Sequence, residues 1–180
     1  MAIQDSKTEA FEYVLFKLVE WYNEECNNTE TNDISTLKAL KLLFFVSSVD
    51  TVKESSDTLL DSPFNNFVAM PYGHVESDVY KDIKSSKFQN VVIRNNSTIV
   101  ENIDFINKLN PSTIVKIDKS IKSLKSINNK LIELSAFKLV ELSHKWFSWK
   151  INYQKALQRG DFSHEIDISE IKSEDKFYQI

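Results

Sequence analysis

The feature that most constrains this chain is its shortage of residues that break helices. Its 180 residues include two glycines, Gly73 and Gly160, and three prolines, Pro63, Pro71 and Pro111. A fold with many tight turns needs more of both residue types, so the shortage favours long helices over a β-rich fold. It also excludes glycine-rich phosphate loops, because such loops need several glycines within a short span.

The length and the single cysteine set the scale of the fold. A chain of 180 residues can bury enough apolar surface for one core, so we expect a single domain that needs no disulfide or metal. Cys26 is the only cysteine and cannot form an intramolecular disulfide. Its neighbours at 24–28 are acids and amides rather than the bases that activate a thiol, so we interpret Cys26 as a small apolar side chain.

Two amphipathic segments in the first third of the chain predict helices. Apolar residues recur at i, i+3, i+4 and i+7 over 7–25, and a second helix is predicted over 34–48 with Asp33 as its N-cap. Residues 40–46 of this second segment are apolar on nearly all sides apart from Lys41. A helix of this kind is usually buried on most faces, so we interpret it as the central helix.

The rest of the chain predicts more helices and little sheet. Residues 64–70 are predicted to be extended, because they lie between Pro63 and Pro71, and residues 88–100 alternate loosely, as in a small hairpin. Further helices are predicted at 75–84, 101–109, 111–127, 131–144, 146–158 and 168–178, the last with Ser169 as a candidate cap. We therefore expect a mainly α, compact, single-domain helical bundle of seven or eight helices with at most a small β-hairpin.

Charge is distributed unevenly along the chain. Residues 1–60 carry a net charge of −6, whereas residues 111–150 carry +5, although the whole chain is acidic at −4. Four lysines recur every three residues on the predicted helix 111–127: Lys116, Lys119, Lys122 and Lys125. This face could contact phosphates, dock an acidic protein or simply face solvent. The acidic chain and the absence of arginine from 111–150 argue against nucleic acid as the partner.

No group of residues indicates chemistry. The three histidines, His74, His144 and His164, form no metal-binding pair with each other or with cysteine. Ser143 and His144 are adjacent, and adjacent residues on a helix point about 100° apart, so they do not form a Ser–His dyad. We therefore expect no catalytic residue, no metal, no cofactor and no small-molecule substrate, and we expect that the protein is not an enzyme.

The hydropathy pattern predicts a cytoplasmic protein with no membrane partner. No stretch approaches the roughly 18 apolar residues that span a bilayer. Residues 1–9 also lack the basic and apolar regions of a signal peptide.

Four stretches, in this order, resemble one known family. They are LKALKLLFF at 37–45, FVAMPYGHV at 67–75 followed by VY at 79–80, LSA…LSH…W within 134–149, and IDI…I…FY within 166–178. They are similar to the motifs K-L-x-K-L-L-Y-Y, A-W-x-Y-G-P-V…V-Y and L-S-A…L-[ST]-H…P-W, and to a closing helix that begins with an isoleucine pair. These motifs belong to the Panacea domain, also called the SocA-like antitoxin domain, and the resemblance covers roughly 34–178.

The resemblance implies a compact helical domain of bacteria and phages. Many members neutralise a toxin encoded beside them by binding it directly, so the expected partner is a cognate toxin. The sequence departs from the motifs at His74, which replaces the proline after Gly73, and at Met70-Pro71, which replaces the Trp-x pair. It also has Trp146-Phe147-Ser148 before Trp149, where the family often has a proline.

Six residues in these motifs are candidates for partner binding: Tyr72, Gly73, His74, His144, Trp146 and Trp149. The sequence at 71–73 suits a tight turn in which glycine adopts a conformation that other residues resist. Tryptophans are frequent anchors of protein interfaces, although they are equally typical of a core. For His144 the alternative is a helix-end histidine that packs near Trp146.

The sequence also leads to an expected division into domains and to two alternative functions. Residues 1–30 are predicted to be an N-terminal helix extension packed on the domain, and 31–180 to be the Panacea domain. The extension either docks a member-specific partner or caps the core. The alternative functions are an adaptor that delivers a client to a protease, which needs two binding surfaces, and a regulator that contacts DNA, whose binding falls steeply with salt.

Overall fold

The structure, a computed structural model, describes residues 5–179 and is mainly α-helical there, as predicted. Seven α-helices in this part of the chain are α1 (Lys7–Cys26), α2 (Thr36–Ser48), α3 (Ser77–Lys84), α4 (Pro111–Ile127), α5 (Ala136–Ser143), α6 (Phe147–Arg159) and α7 (Ile168–Ser173). Two 3-10 helices span Ile103–Lys108 and Asn129–Glu133. Five short strands are β1 (Phe67–Met70), β2 (Gly73–Glu76), β3 (Val91–Arg94), β4 (Ser97–Val100) and β5 (His164–Glu165).

The β content exceeds the single hairpin that the sequence predicted, so that part of the prediction is wrong. The predicted hairpin is present as β3–β4. A second, three-stranded antiparallel sheet has the order β2-β1-β5. Its third strand comes from about a hundred residues further along the chain, with Val68 opposite Glu165, so no local sequence pattern could reveal it.

Helix α1 begins with a capping box and lies against the core. The Ser6 hydroxyl accepts the Glu9 N–H, while the Glu9 carboxylate accepts the Ser6 N–H at 3.0 Å. The buried face of α1 includes Phe11, Leu15 and Leu18, each 0% exposed. This helix therefore contributes directly to the hydrophobic core.

Helix α2 is the central helix, as its apolar sequence predicts. It contacts β2, α4 and α5, and its residues Lys38–Ser48 are all buried. Its N-cap is Ser35, whose hydroxyl accepts the Lys38 N–H, so the predicted Asp33 cap is wrong. Asp33 instead forms a 2.6 Å ion pair with the buried Lys38 ammonium.

Three other helix predictions also differ in detail from the structure. The predicted helix 131–144 is divided, because Ser135 caps α5 by accepting the Lys138 N–H and so separates it from the preceding 3-10 helix. Residues 75–76 belong to β2 rather than to α3. The last helix ends at Ser173, and Asp167 rather than Ser169 caps it.

The β3–β4 hairpin is fixed to α1 by one buried carboxylate. Glu12 is 2% exposed, and its Oε1 accepts the N–H groups of Gln89 (2.8 Å) and Asn90 (2.7 Å). Its Oε2 accepts the Asn90 side-chain amide at 2.8 Å. A buried carboxylate needs such donors, so these bonds both satisfy Glu12 and orient the hairpin.

Candidate protein-docking surface

The turn between β1 and β2 presents an aromatic ring to solvent. Tyr72 is 57% exposed, and its ring makes an edge contact with Phe137 at the start of α5, with 6.4 Å between the ring centroids. Phe137 is itself 66% exposed. Two large rings therefore lie side by side on the surface, each with most of its area in water.

An apolar groove of about 690 Å³ lies beside this turn. The start of α2, the β1–β2 turn, α3 and the segment between α6 and β5 form its walls. The main apolar side chains that line it are Leu37, Leu40, Val75, Tyr80, Ile83 and Phe162. Phe162 is 71% exposed at the groove. We call the exposed rings of Tyr72, Phe137 and Phe162, together with the groove, the Tyr72 surface.

Gly73 lets the turn lie close to α5. Its φ of +94° is a conformation that side chains with a Cβ rarely adopt. A Cβ at this position would also lie 2.9 Å from the Ser143 Cβ, which is closer than packed atoms tolerate. The predicted conformational role of Gly73 is therefore confirmed, and the close approach to Ser143 is a second reason for glycine.

Beneath the turn, His74 is fully buried in a polar network. Its Nδ1 lies 2.8 Å from the Ser143 hydroxyl, and its Nε2 lies 2.8 Å from the Ser148 hydroxyl. Its ring stacks on Phe44 with 3.7 Å between centroids. Burial lowers the pKa of His74 well below its usual value, with smaller contributions from Lys41 and His144, so the ring is neutral.

The His74–Ser148 contact joins two positions at which the sequence departs from the family motifs. By the resemblance described above, His74 stands where the family motif has a proline, and Ser148 directly precedes Trp149, where the family often has one. Because neutral imidazole has one N–H, one serine hydroxyl donates to the ring and the other accepts from it. The two departures therefore form one interaction rather than two separate changes.

Lys41 closes the same network from α2. Its Nζ is fully buried and donates a hydrogen bond to the His74 carbonyl, while the His74 N–H donates to the Ser143 hydroxyl at 3.1 Å. Burial lowers the pKa of Lys41 to about 7. Lys41 and Ser143 thus occupy the hydrogen-bonding positions that another strand would take beside β2.

A second aromatic group supports the turn from α6. The Trp149 indole N–H donates to the Met70 carbonyl at 2.8 Å, and the Trp149 ring stacks between His144 (3.7 Å) and Tyr153 (5.2 Å). Burial is the main cause that lowers the pKa of His144. Its Nε2 is buried without a hydrogen-bond partner among the described residues.

The structure brings all six candidate residues to one region but exposes them to different degrees. Tyr72 is well exposed, and His144 and Trp149 are half-buried. Gly73, His74 and Trp146 are buried beneath them. Contact of these residues with a partner stays a prediction. The three buried residues contact other parts of the protein in this structure. The Trp146 indole N–H, for example, donates to the Phe177 carbonyl at 3.2 Å.

Sequence reasoning missed several residues of this region. The sequence places Ser143 next to His144, whereas the structure pairs the Ser143 hydroxyl with the His74 ring. Lys41 did stand out as the one charge within the apolar stretch 40–46, and that was a usable signal of a buried polar site. Phe137 and Phe162 gave no signal, because an apolar residue in a sequence is ordinarily assigned to the core.

The lysine face of α4 is partly occupied by ion pairs within the chain. Lys116 pairs with Asp57 at 2.6 Å, and Lys125 pairs with Glu24 at 2.5 Å. Among residues 5–179, no helix combines the length and apolar character needed to cross a membrane. The same part of the chain contains no group of three or more His, Cys, Asp or Glu side chains placed to hold a metal ion.

These features define a mainly helical protein with an apolar groove and exposed rings at one turn. Residues 40–150 match the family model described as the SocA-like antitoxin, Panacea domain. This match covers more than half of the chain, so the protein belongs to that family. No curated protein and no solved structure matches the chain.

Proposed function

We propose that this protein is an antitoxin that neutralises a cognate toxin by binding it directly through the Tyr72 surface. The description of the family as antitoxin-like supports a toxin as the partner. The observation that carries the proposal is the 57% exposed ring of Tyr72, on a turn that hydrogen bonds from Ser143 and Trp149 hold beside an apolar groove. Exposed aromatic rings on rigid supports are typical anchors of protein interfaces, and contiguous apolar surface marks interaction sites.

We infer that the protein acts by binding alone, without a catalytic residue, cofactor or small-molecule substrate. The pair of side chains closest to a catalytic arrangement is His74 and Ser143, and both are 0% exposed. The His74 ring bonds to the hydroxyls of Ser143 and Ser148, and the His74 backbone N–H donates to the Ser143 hydroxyl. This arrangement supports a structural role beneath the surface.

We also propose that residues 1–30 form an extension packed on a domain of residues 31–180, although residues 1–4 and 180 lie outside the described part. The family match begins at residue 40, after α1. Lys7 joins α1 to the start of α3 through ion pairs with Glu76 (2.5 Å) and Asp78 (2.7 Å). With the buried face of α1, these contacts favour a core-capping role over a docking role for the extension.

Co-expression with the product of the neighbouring gene tests the proposed function. The neighbouring product alone is expected to arrest growth, and this protein is expected to restore growth and to co-purify with it. A neighbouring product that is harmless and does not co-purify would remove the support for an antitoxin role.

A further inference from the structure

We propose that the groove of the Tyr72 surface binds an amphipathic helix of the partner protein and that a carboxylate on this helix pairs with Lys84. The inference rests on the proposed function, because it specifies how the toxin is held. It commits to the chemistry of the occupant: a helix with an apolar stripe and an acidic residue at its edge.

The walls of the groove favour a helix over an extended peptide. An extended peptide gains affinity mainly through hydrogen bonds to an open strand edge. The edge of β2 is closed at His74, whose N–H and carbonyl bond to Ser143 and Lys41. At the turn, the Met70 carbonyl accepts from Trp149, and Pro71 has no N–H.

The Met70 carbonyl and both backbone groups of His74 are therefore already bonded, and an occupant meets apolar side chains beside them. A helix satisfies its own backbone hydrogen bonds and needs only apolar contacts from its host. Two of the walls are themselves helices, α2 and α3, whose apolar side chains Leu37 and Ile83 face the groove. This is the setting in which an amphipathic helix binds through residues at i, i+3, i+4 and i+7.

The charge of the groove specifies the polar part of the occupant. Lys84 is the one charged residue among the described residues that line it. Its ammonium lies 5.4 Å from the centroid of the Tyr80 ring and forms no ion pair within residues 5–179. An unpaired cation beside apolar surface is complementary to a carboxylate at the edge of an apolar stripe.

The test compares Lys84→Glu with Lys81→Glu. Both lysines lie in the last turn of α3, but Lys81 lies outside the groove and is 4.0 Å from Asp78. The probe is a capped peptide of about 18 residues with a leucine stripe flanked by glutamates, alongside a matched peptide with lysines in place of the glutamates. Binding is measured by calorimetry at low salt.

The wild type is expected to bind the glutamate peptide roughly fivefold more tightly than the lysine peptide. Lys84→Glu removes this preference and Lys81→Glu keeps it, and molar salt screens the preference in the wild type and in Lys81→Glu. Equal binding of the two peptides by the wild type, or an unchanged preference in Lys84→Glu, would overturn the inference. So would equally tight binding of a glutamate peptide with a central proline, which cannot form the continuous helix.

The same variants, titrated with the neighbouring gene product, separate the two proposals. Weaker binding in Lys84→Glu alone supports both of them. Equal binding by all three proteins leaves the antitoxin role standing and overturns the groove as its site. If the wild type forms no complex but discriminates between the peptides, the antitoxin role fails while the chemistry of the groove stands.

Discussion

At the scale of single residues, the β1–β2 turn depends on a glycine and a lysine that no other residue types replace easily. Gly73 provides both the positive φ and the space occupied by Ser143. Lys41 provides a long apolar stem through the core with a donor at its end for the His74 carbonyl. Together they hold the backbone on which Tyr72 is exposed.

We expect Gly73→Ala to lower the free energy of unfolding by about 3 kcal/mol, from the strained φ together with the overpacking against Ser143. Gly160→Ala is the matched control, because Gly160 has a φ of +70° but, apart from its neighbours in the chain, no described residue has an atom within 4 Å of the added Cβ. It should cost about 1 kcal/mol. Urea denaturation measures both values, and equal losses would contradict the role of the close approach.

We expect Lys41→Met to change how stability depends on pH. The pKa of Lys41 is about 7 in the folded state, whereas in the unfolded chain it takes the ordinary lysine value of 10.5. Between these two pH values the unfolded chain therefore binds more protons than the folded protein. The unfolding free energy of the wild type should therefore rise with pH in this window, by on the order of 1 kcal/mol per unit, relative to the variant. Urea denaturation from about pH 7.5 to about pH 9.5 measures the difference between the two proteins. A constant difference would show that Lys41 stays charged in the folded state.

At the scale of elements, most helices, the extended segment that contains β1 and the β3–β4 hairpin followed from the sequence, whereas the pairing of the three-stranded sheet did not. The period of the apolar residues placed α1 within one residue of its observed end, and Pro111 marked the start of α4. The three-stranded sheet has strands of two to four residues, which are too short for a clear alternation, and its β1–β5 pairing is distant in sequence. The groove needs the same long-range contacts, because its walls come from four separate segments.

One buried side chain determines how the β3–β4 hairpin is attached. In Glu12→Gln the new amide meets the donor groups of residues 89–91, so at least one hydrogen bond is lost. We expect a loss of about 2 kcal/mol in the unfolding free energy and faster amide hydrogen exchange at 89–91. Glu20→Gln on the same helix is the control, because among the described residues the one ion pair of Glu20 is with Lys17 near the surface. It should change stability by less than about 0.5 kcal/mol. Indistinguishable effects of the two substitutions would refute the anchoring role.

At the scale of the whole molecule, the fold gathers distant segments behind one exposed turn. Helix α2 lies at the centre, α1 packs against α3, α4 and the β3–β4 hairpin, and α5 and α6 support the turn through Ser143 and Trp149. Family membership was accessible from the sequence motifs, and the toxin partner remains a proposal. The position of the proposed docking surface was accessible only in part, because Tyr72 lies in a motif whereas Phe137 and Phe162 lie in none.

The central claim is that the toxin docks on the Tyr72 surface, and the affinity of Tyr72→Ala for the neighbouring gene product tests it most directly. Phe147→Ala is the matched control, since Phe147 is 64% exposed but lies outside the Tyr72 surface. We predict that Tyr72→Ala raises Kd at least tenfold, or about 1.4 kcal/mol, while Phe147→Ala changes it less than twofold. A Kd for Tyr72→Ala equal to that of the wild type would contradict the claim.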